Sequence, residues 1–468
     1  MLLIGSFIGL LRVLLIGLLM AEEKGLSSDD LKALSDRIIQ LSNADQCRVN
    51  INSSWRGYTR VATNRITSAG GADATSINIT SVFGKRVASV STNNFEDDAL
   101  LVAVRRSETL ARLAPESPEY VDELNLQSYQ DNQAYYESTG ELEAITRAEA
   151  AAIAIRQAES AGQIAASYMD VRAGTRSVAT SNGVYGSHSS TGVAYTLTSR
   201  TRDGLQSGWA GDEANDWNNI EGQRIADDAI AKCRDWRKTD LDPGQYTVIL
   251  EPTALGMLML RMMNSFNQRT ADEGRSYFSK TGGGNRIGEK LFDDRINIYS
   301  DPAYRDAETS PFNNSGQPIN RQDWIRSGTV EDLARSRFWA GQLDQEPLPS
   351  PSNLIMAGGN DSLEEMIAST KRGVLLTRFW YIRGLNPRII SYTGLTRDGT
   401  FLIEDGKITR PVTNFRFNQS LVEMLQNIEM IGPSVRVAAS ENSSVSTPIV
   451  VPTLKVRGFN LSSVSDAI

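Results

Sequence analysis

The sequence predicts an α+β fold in two domains, an N-terminal antiparallel sheet with long helices followed by a mostly-β C-terminal domain. Three observations lead there. Residues 47–93 alternate in short apolar–polar stretches, such as Ser76–Ser81 and Arg86–Val90, parted by Gly and other turn residues. A run from about Glu141 to Ala161 is dominated by Ala and free of interior Gly and Pro, which favours a long helix. Beyond residue 370 strand and turn signals take over. At 468 residues and 40% hydrophobic content, the chain can fill more than one core and is not globally disordered.

In chain order, Ser27 or Ser28 can cap a first helix whose Leu31, Leu34, Ile38 and Leu41 fall on one face. The hairpins of 47–93 follow. Phe95–Leu110 reads as a helix with Asp97 and Asp98 in its first turn, where carboxylates meet free N–H groups. Residues 112–140 read as loop. After the Ala-rich helix, Gly162 marks a stop. Strands are expected at Ser167–Arg172, Ser177–Thr180 and Gly192–Arg200, then a helix at Ile220–Cys233. Pro243-Gly244 places a boundary near 235–243, giving a 21–235 α+β domain and a 236–468 β-rich domain. Tyr246–Leu250 reads as a strand, and Pro252 suits the first position of the helix after it. Long connections fill Thr270–Pro351. From 374 to 417 the sequence reads as a β-meander turning at Asp398-Gly399 and Asp405-Gly406. A helix is expected at Gln419–Ile428 behind Asn418, then a closing β-pair at Pro448–Val451 and Leu454–Asn460.

The first 19 residues stand apart. They are almost wholly apolar, interrupted by Arg12, and lack the basic start and small-residue exit of a signal peptide. Residues 1–20 are read as an apolar extension upstream of a natural start near Met20, with a membrane anchor as the alternative. Membrane contact is expected only if residues 1–19 are real, and cytoplasmic placement follows from the first reading.

Composition narrows the chemistry. Two cysteines, Cys47 and Cys233, exclude a disulfide scaffold and a multi-cysteine metal cluster. The single histidine, His188, excludes any site needing two; set between strands, it has no neighbour completing a triad and reads as a solvated loop residue. A net charge of −8 disfavours general nucleic-acid binding. The Gly-rich 281–290 segment lacks phosphate-loop spacing.

Three segments together resemble one family: PGQYTVILEPTALGMLML at 243–260, TRFWYIRGLNPRIISYTGLTRDGTFLIEDGKITRPVTNFRFNQSLVEMLQNIE at 377–429, and the helix–sheet order of the first half. The chain resembles the TldD/PmbA family of modulator-of-gyrase-like zinc metallopeptidases. The resemblance implies a paired enzyme. One type of subunit carries a His-Glu-x-x-x-His helix and a distant Cys that bind zinc; the other type lacks them. The pair degrades unfolded peptides and trims precursor peptides, holding substrate as an added strand. Here the two His positions fall on Glu251 and Gly256 and the Glu position on Pro252, and neither cysteine lies in the C-terminal third. Gly256 offers a metal nothing and Pro252 cannot act as a base. The chain thus looks like the non-catalytic PmbA/TldE-type subunit, without catalytic residues, metal or cofactor of its own, and with zinc expected in a TldD-type partner.

Arg378, Arg397 and Asn414 are candidates to line the peptide cleft from exposed strand ends; the alternative is that they only build the sheet. Two other functions compete. A relocated metal site would gather Glu251, Asp293 and Asp294 around one ion. A stand-alone peptide-binding or scaffold homodimer would need no catalytic partner.

Overall fold

The computed structural model describes residues 25–233 and 238–465. The expectations for residues 1–20 lie outside the described residues, as do positions 234–237 beside the expected domain boundary.

The fold is α+β, built on two sheets. The first is antiparallel throughout, in the order β3-β2-β1-β4-β5-β6. Its strands are β1 (Gln46–Ala62), β2 (Arg65–Phe83), β3 (Arg86–Thr92), β4 (Ile164–Thr180), β5 (Tyr185–Arg200) and β6 (Ser207–Ala214). Helix Ser28–Leu41 opens with a capping box between Ser27 and Asp30. Together with Asp97–Leu113 it buries Leu31, Ile38, Leu100 and Val104 against Val49, Ile51, Ile77 and Ile79. Helices Ala144–Ser160 and Gly222–Lys232 cover the other half, where Ala151, Ala154, Ala158, Ile225 and Ala229 meet Met169, Val171 and Leu197. The small alanine face explains why a helix with so little apolar bulk packs closely on the sheet.

The second sheet has thirteen strands. Its spine is Ile449–Ser465, which pairs antiparallel with Gly244–Leu250, Asn414–Ser420 and Ile428–Val437, and parallel with Leu354–Met356. Helix Pro252–Met262 lies over it and buries Leu255, Leu258, Met259 and Met262. Phe417 packs on Phe379 and Phe459 at ring separations of 4.6 and 5.6 Å.

Four expectations are corrected. The strands Ser167–Arg172 and Ser177–Thr180 are one strand, continuous through Gly174, because β1 pairs along its whole length and a Cβ at Gly174 would strike the backbone of Ser53 and Ser54. The closing pair is likewise a single strand, with Pro452 inside it. The expected helix at Gln419–Ile428 is only Leu421–Gln426, capped by Ser420, since Asn418 and Gln419 remain in the strand that pairs with Ser391–Thr396. The meander is two ladders. Arg372–Leu376, Thr400–Glu404 and Lys407–Pro411 form one; Phe379–Asn386, Ser391–Thr396 and Asn414–Ser420 form the other. Asp405-Gly406 is a hairpin turn as expected, but Asp398-Gly399 crosses between ladders.

The two sheets are joined at a polar seam. Arg436 reaches Glu213 at 3.2 Å, Asn215 at 2.9 Å and the Asp306 carbonyl at 2.6 Å. Ser446 donates from N and Oγ to the same Glu213 carboxylate. Nearby, buried Asp170 accepts from Arg56, Arg172 and the Val445 backbone. Replacing one member of a buried pair strands the other charge. Arg436→Met is therefore expected to lower unfolding free energy by about 3–5 kcal/mol in denaturant titration, and adding Glu213→Gln should recover part of it.

Candidate functional site

A cleft of about 660 Å³ opens at this seam. One wall is β6 from Trp209 to Ala214; the others come from Arg224 and Lys232 on helix Gly222–Lys232, from Glu251–Thr253 at the start of helix Pro252–Met262, and from the 304–306 and 434–437 segments. β6 is the last strand of its sheet and pairs only with β5. Among the described residues its outer edge has no strand partner, so backbone N–H and C=O groups border the cleft.

The charges around the cleft are largely paired internally. Asp212 bonds Arg224, which also reaches Asp228 at 3.0 Å. Burial nevertheless raises the Asp212 carboxyl above its ordinary range, Arg224 opposing. Burial raises Glu213 as well, against Arg436 and Ser446. Arg305 lines the cleft exposed.

The positions where the resemblance would put metal ligands sit on the cleft wall and in the core behind it. Glu251 precedes the helix, yet its carboxylate does not cap it; it accepts from Lys232 Nζ at 2.6 Å. Pro252 occupies the first turn. Gly256 is buried, and a Cβ there would run into Val437 Cγ2 and touch Ile449 and Val451. These residues do not fit zinc: one carboxylate is held by an ammonium, one position has no donor, and one has no room for a side chain. The relocated set does not gather either. Asp293 is paired with Arg295 at 2.7 Å and Asp294 with Lys290 at 2.5 Å, and no group of three or more His, Cys, Asp or Glu capable of holding a metal occurs among the described residues.

The three peptide-wall candidates lie elsewhere than expected. Arg378 is not at an exposed strand end: it is 5% exposed, 3.4 Å from Asp398, with its guanidinium 4.7 Å from the Trp209 ring. Arg378 thus stands behind the cleft wall and supports Trp209. Arg397 is three-quarters buried, over the Trp380 ring at 4.9 Å and 3.6 Å from Asp398. Asn414 is buried and accepts from Thr396 and Thr400 Oγ1, tying the two ladders together. Tyr381 sits at a register break in the strand Phe379–Asn386, with φ of 55°.

His188 is not a loop residue. It lies within β5 opposite Arg176 and is 7% exposed. Burial, with Arg176 adding, pushes it down to about 4. Sequence reasoning missed Arg224, Lys232 and Arg436. Arg436 left one trace, as the only base in the strand Ile428–Val437; Lys232 left none, since its partner follows a break in the chain's pattern.

Residues 243–463 match the model of the PmbA/TldA metallopeptidase C-terminal domain. A TldD metalloprotease homologue of Haemophilus influenzae is 30% identical over 192 residues, 36% of this chain and 39% of that protein. The metalloprotease PmbA of Escherichia coli O157:H7 is 21% identical over 178 residues, 37% and 38% of the two chains. The aligned region thus spans about two-fifths of these curated relatives. Over the whole fold, TldE of Thermococcus kodakarensis superimposes with a TM-score of 0.80 at 17% identity, covering 92% of this chain and 99% of that one. A Thermotoga maritima protein named as a modulator of DNA gyrase gives 0.81 at 16%, covering 92% and 100%.

Two outcomes follow from the geometry. Gly256→Ala should lose about 1–3 kcal/mol despite alanine's better helix propensity, and Val437→Ala should restore most of it; chemical denaturation of the single and double variants reads this. Acidification should act through His188. The unfolded chain takes that proton near 6.5 and the folded chain only near 4, so the unfolded state binds more protons in between and stability falls with pH. The loss approaches about 3 kcal/mol, and a His188→Gln variant should lack that component in melts taken across the same range.

Proposed function

Since this chain belongs to the TldD/PmbA family, we propose that it is the non-catalytic PmbA/TldE-like subunit of a zinc metallopeptidase pair that degrades or trims unfolded peptides. The observation that carries this reading is the internal Lys232–Glu251 ion pair at the head of helix Pro252–Met262, beside an open strand edge. The cleft keeps the means to hold extended backbone while the metal position is taken up by the chain itself.

In this reading a peptide adds along the outer edge of β6. Its N–H and C=O groups find backbone partners there irrespective of most side chains, which suits a broad range of unfolded substrates. Trp209, braced by Arg378, gives that edge a fixed apolar surface. Arg397 and Asn414 hold the ladders behind it. The zinc, and the water it activates, belong to a TldD-type partner, and this chain contributes one wall. On this proposal the chain divides into a 21–235 domain and a 236–468 domain, with the cleft lined by both. No helix among the described residues is long and apolar enough to cross a membrane, and the pair is assigned to the cytoplasm on this proposal.

The test is co-expression with a TldD-type subunit, followed by zinc analysis and cleavage of an unfolded peptide by each component and by the pair. Zinc is expected with the partner, and efficient cleavage only with both chains. Arg397→Ala should slow cleavage by the pair up to about tenfold with zinc and assembly unchanged. A partner that cleaves equally fast without this chain would replace the shared-wall reading with that of a scaffold.

A further inference from the structure

β6 covers the outer side of β5 only over Val193–Arg200. The rest of that side, residues 185–191, carries a second open edge. Along β5 the even positions bond toward β4 and the odd positions away from it. Val184 C=O accepts from Thr180 N–H, whereas Thr191 N–H donates outward to the Ala134 carbonyl at 2.9 Å. The register with β4 is unbroken from Tyr185 to Arg200, so the N–H and C=O of Ser187 and the N–H of Ser189 also point outward. Ala134 fills the edge at one place, as a single parallel bridge to Ser190. Before it the chain leaves the edge, and Tyr129 packs against Gly186 and Phe312. A cavity of about 580 Å³ lies between residues 129–135, residues 187–189 and Pro311. Two polar atoms beside it lack partners. Asn132 donates its amide group to the Pro302 and Thr309 carbonyls, which leaves its buried Oδ1 without a donor. His188 has no partner at buried Nε2, and burial with Arg176 keeps its ring neutral near pH 7. Arg176 itself bonds Asn314 and lies over the Phe312 ring. Asp131 is exposed, with no ion pair among the described residues, and no Lys or Arg among them lines the cavity.

We propose that this cavity binds the amino-terminal end of an extended peptide, added antiparallel to β5 at Ser187 with its ammonium group toward Asn132 and Asp131. The backbone selects the class of ligand and the charges select which end of it. Ser187 offers one donor and one acceptor at ladder spacing, and another extended chain satisfies both whatever its side chains. Ala134 closes the edge at Ser190, so an added strand has one of its ends there. An antiparallel strand brings its amino terminus to that stop, and a parallel one its carboxylate. The groups gathered there are acceptors: Asn132 Oδ1, the neutral His188 ring and the Asp131 carboxylate. With no cation on the wall, they attract an ammonium group and repel a carboxylate. The site is separate from the cleft on the outer edge of β6, and the inference concerns this chain alone, without a zinc-bearing partner.

The test is calorimetry of the full chain with the amidated pentapeptide Thr-Val-Thr-Val-Thr, with thermal melts as the control for folding. The peptide with a free amino terminus should bind, and acetylating that terminus should weaken binding about tenfold. Asp131→Asn should weaken binding of the free-amine peptide and leave the acetylated one unchanged. Ser187→Pro deletes the outward N–H without touching the ladder to β4, and should weaken both forms. Ser187→Ala keeps that N–H, loses only the hydroxyl contact with Ser28, and should bind as wild type does. A photoreactive copy of the peptide should label residues 129–135 or 187–189. No binding by wild type, equal binding of the free and acetylated forms, or labelling confined to Trp209–Ala214 overturns the proposal. The last of these puts the peptide on the β6 edge and leaves the reading of that cleft standing.

Discussion

The arrangement of the two sheets depends on one buried ion pair. Glu213 at the end of β6 is fully enclosed, and Arg436 reaches it from the opposite sheet with its side chain 7% exposed. Neither charge is tolerable there alone, because desolvation of each is offset only by the other and by the hydrogen bonds around them. Asn215, Ser446 and the Asp306 carbonyl supply those bonds. The pair therefore fixes not just that the sheets touch but where, and the cleft is the space left beside it. The wall at Trp209 is set by a second contact of the same kind, Arg378 with Asp398, stacked behind the indole ring.

The helix facing that cleft carries a charge balance and a packing that leave no place for a metal donor. A lone Glu251 carboxylate at the head of the helix would put an unpaired negative charge on the cleft wall. Lys232 neutralises it from a neighbouring element at 2.6 Å. The helix is apolar on the face toward Ile449 and Val451, so its packing there stabilises the fold and offers no polar group to an ion.

Much of the architecture was legible in the sequence because it rests on local signals. The capping box at Ser27, the alanine helix, Pro252 at a first helical turn and the Asp405-Gly406 hairpin each carry their own signal within a few residues. The errors arose where distant partners decide. The stretch between Ser167–Arg172 and Ser177–Thr180 was read as a break between strands, but Gly174 within it allows close approach of β1. Asp398-Gly399 has hairpin chemistry, yet Thr377 and the second ladder make it a crossover. The site was less readable. Arg378 was taken as exposed because nothing nearby in sequence announces Trp209, which lies in the other sheet. Lys232 was invisible for the same reason.

The contact between Gly256 and Val437 has a consequence for how such a chain can change. The helix lies on the strand closely enough that the space a side chain at 256 would need is filled by a valine methyl group. A single codon change that places any larger residue at 256 meets that methyl first. A donor at 256 thus requires the strand to yield first, and a free carboxylate at the head of the helix requires the Lys232–Glu251 pair to part as well. Close packing acts here as a lock, because each such change costs stability before it can offer a donor.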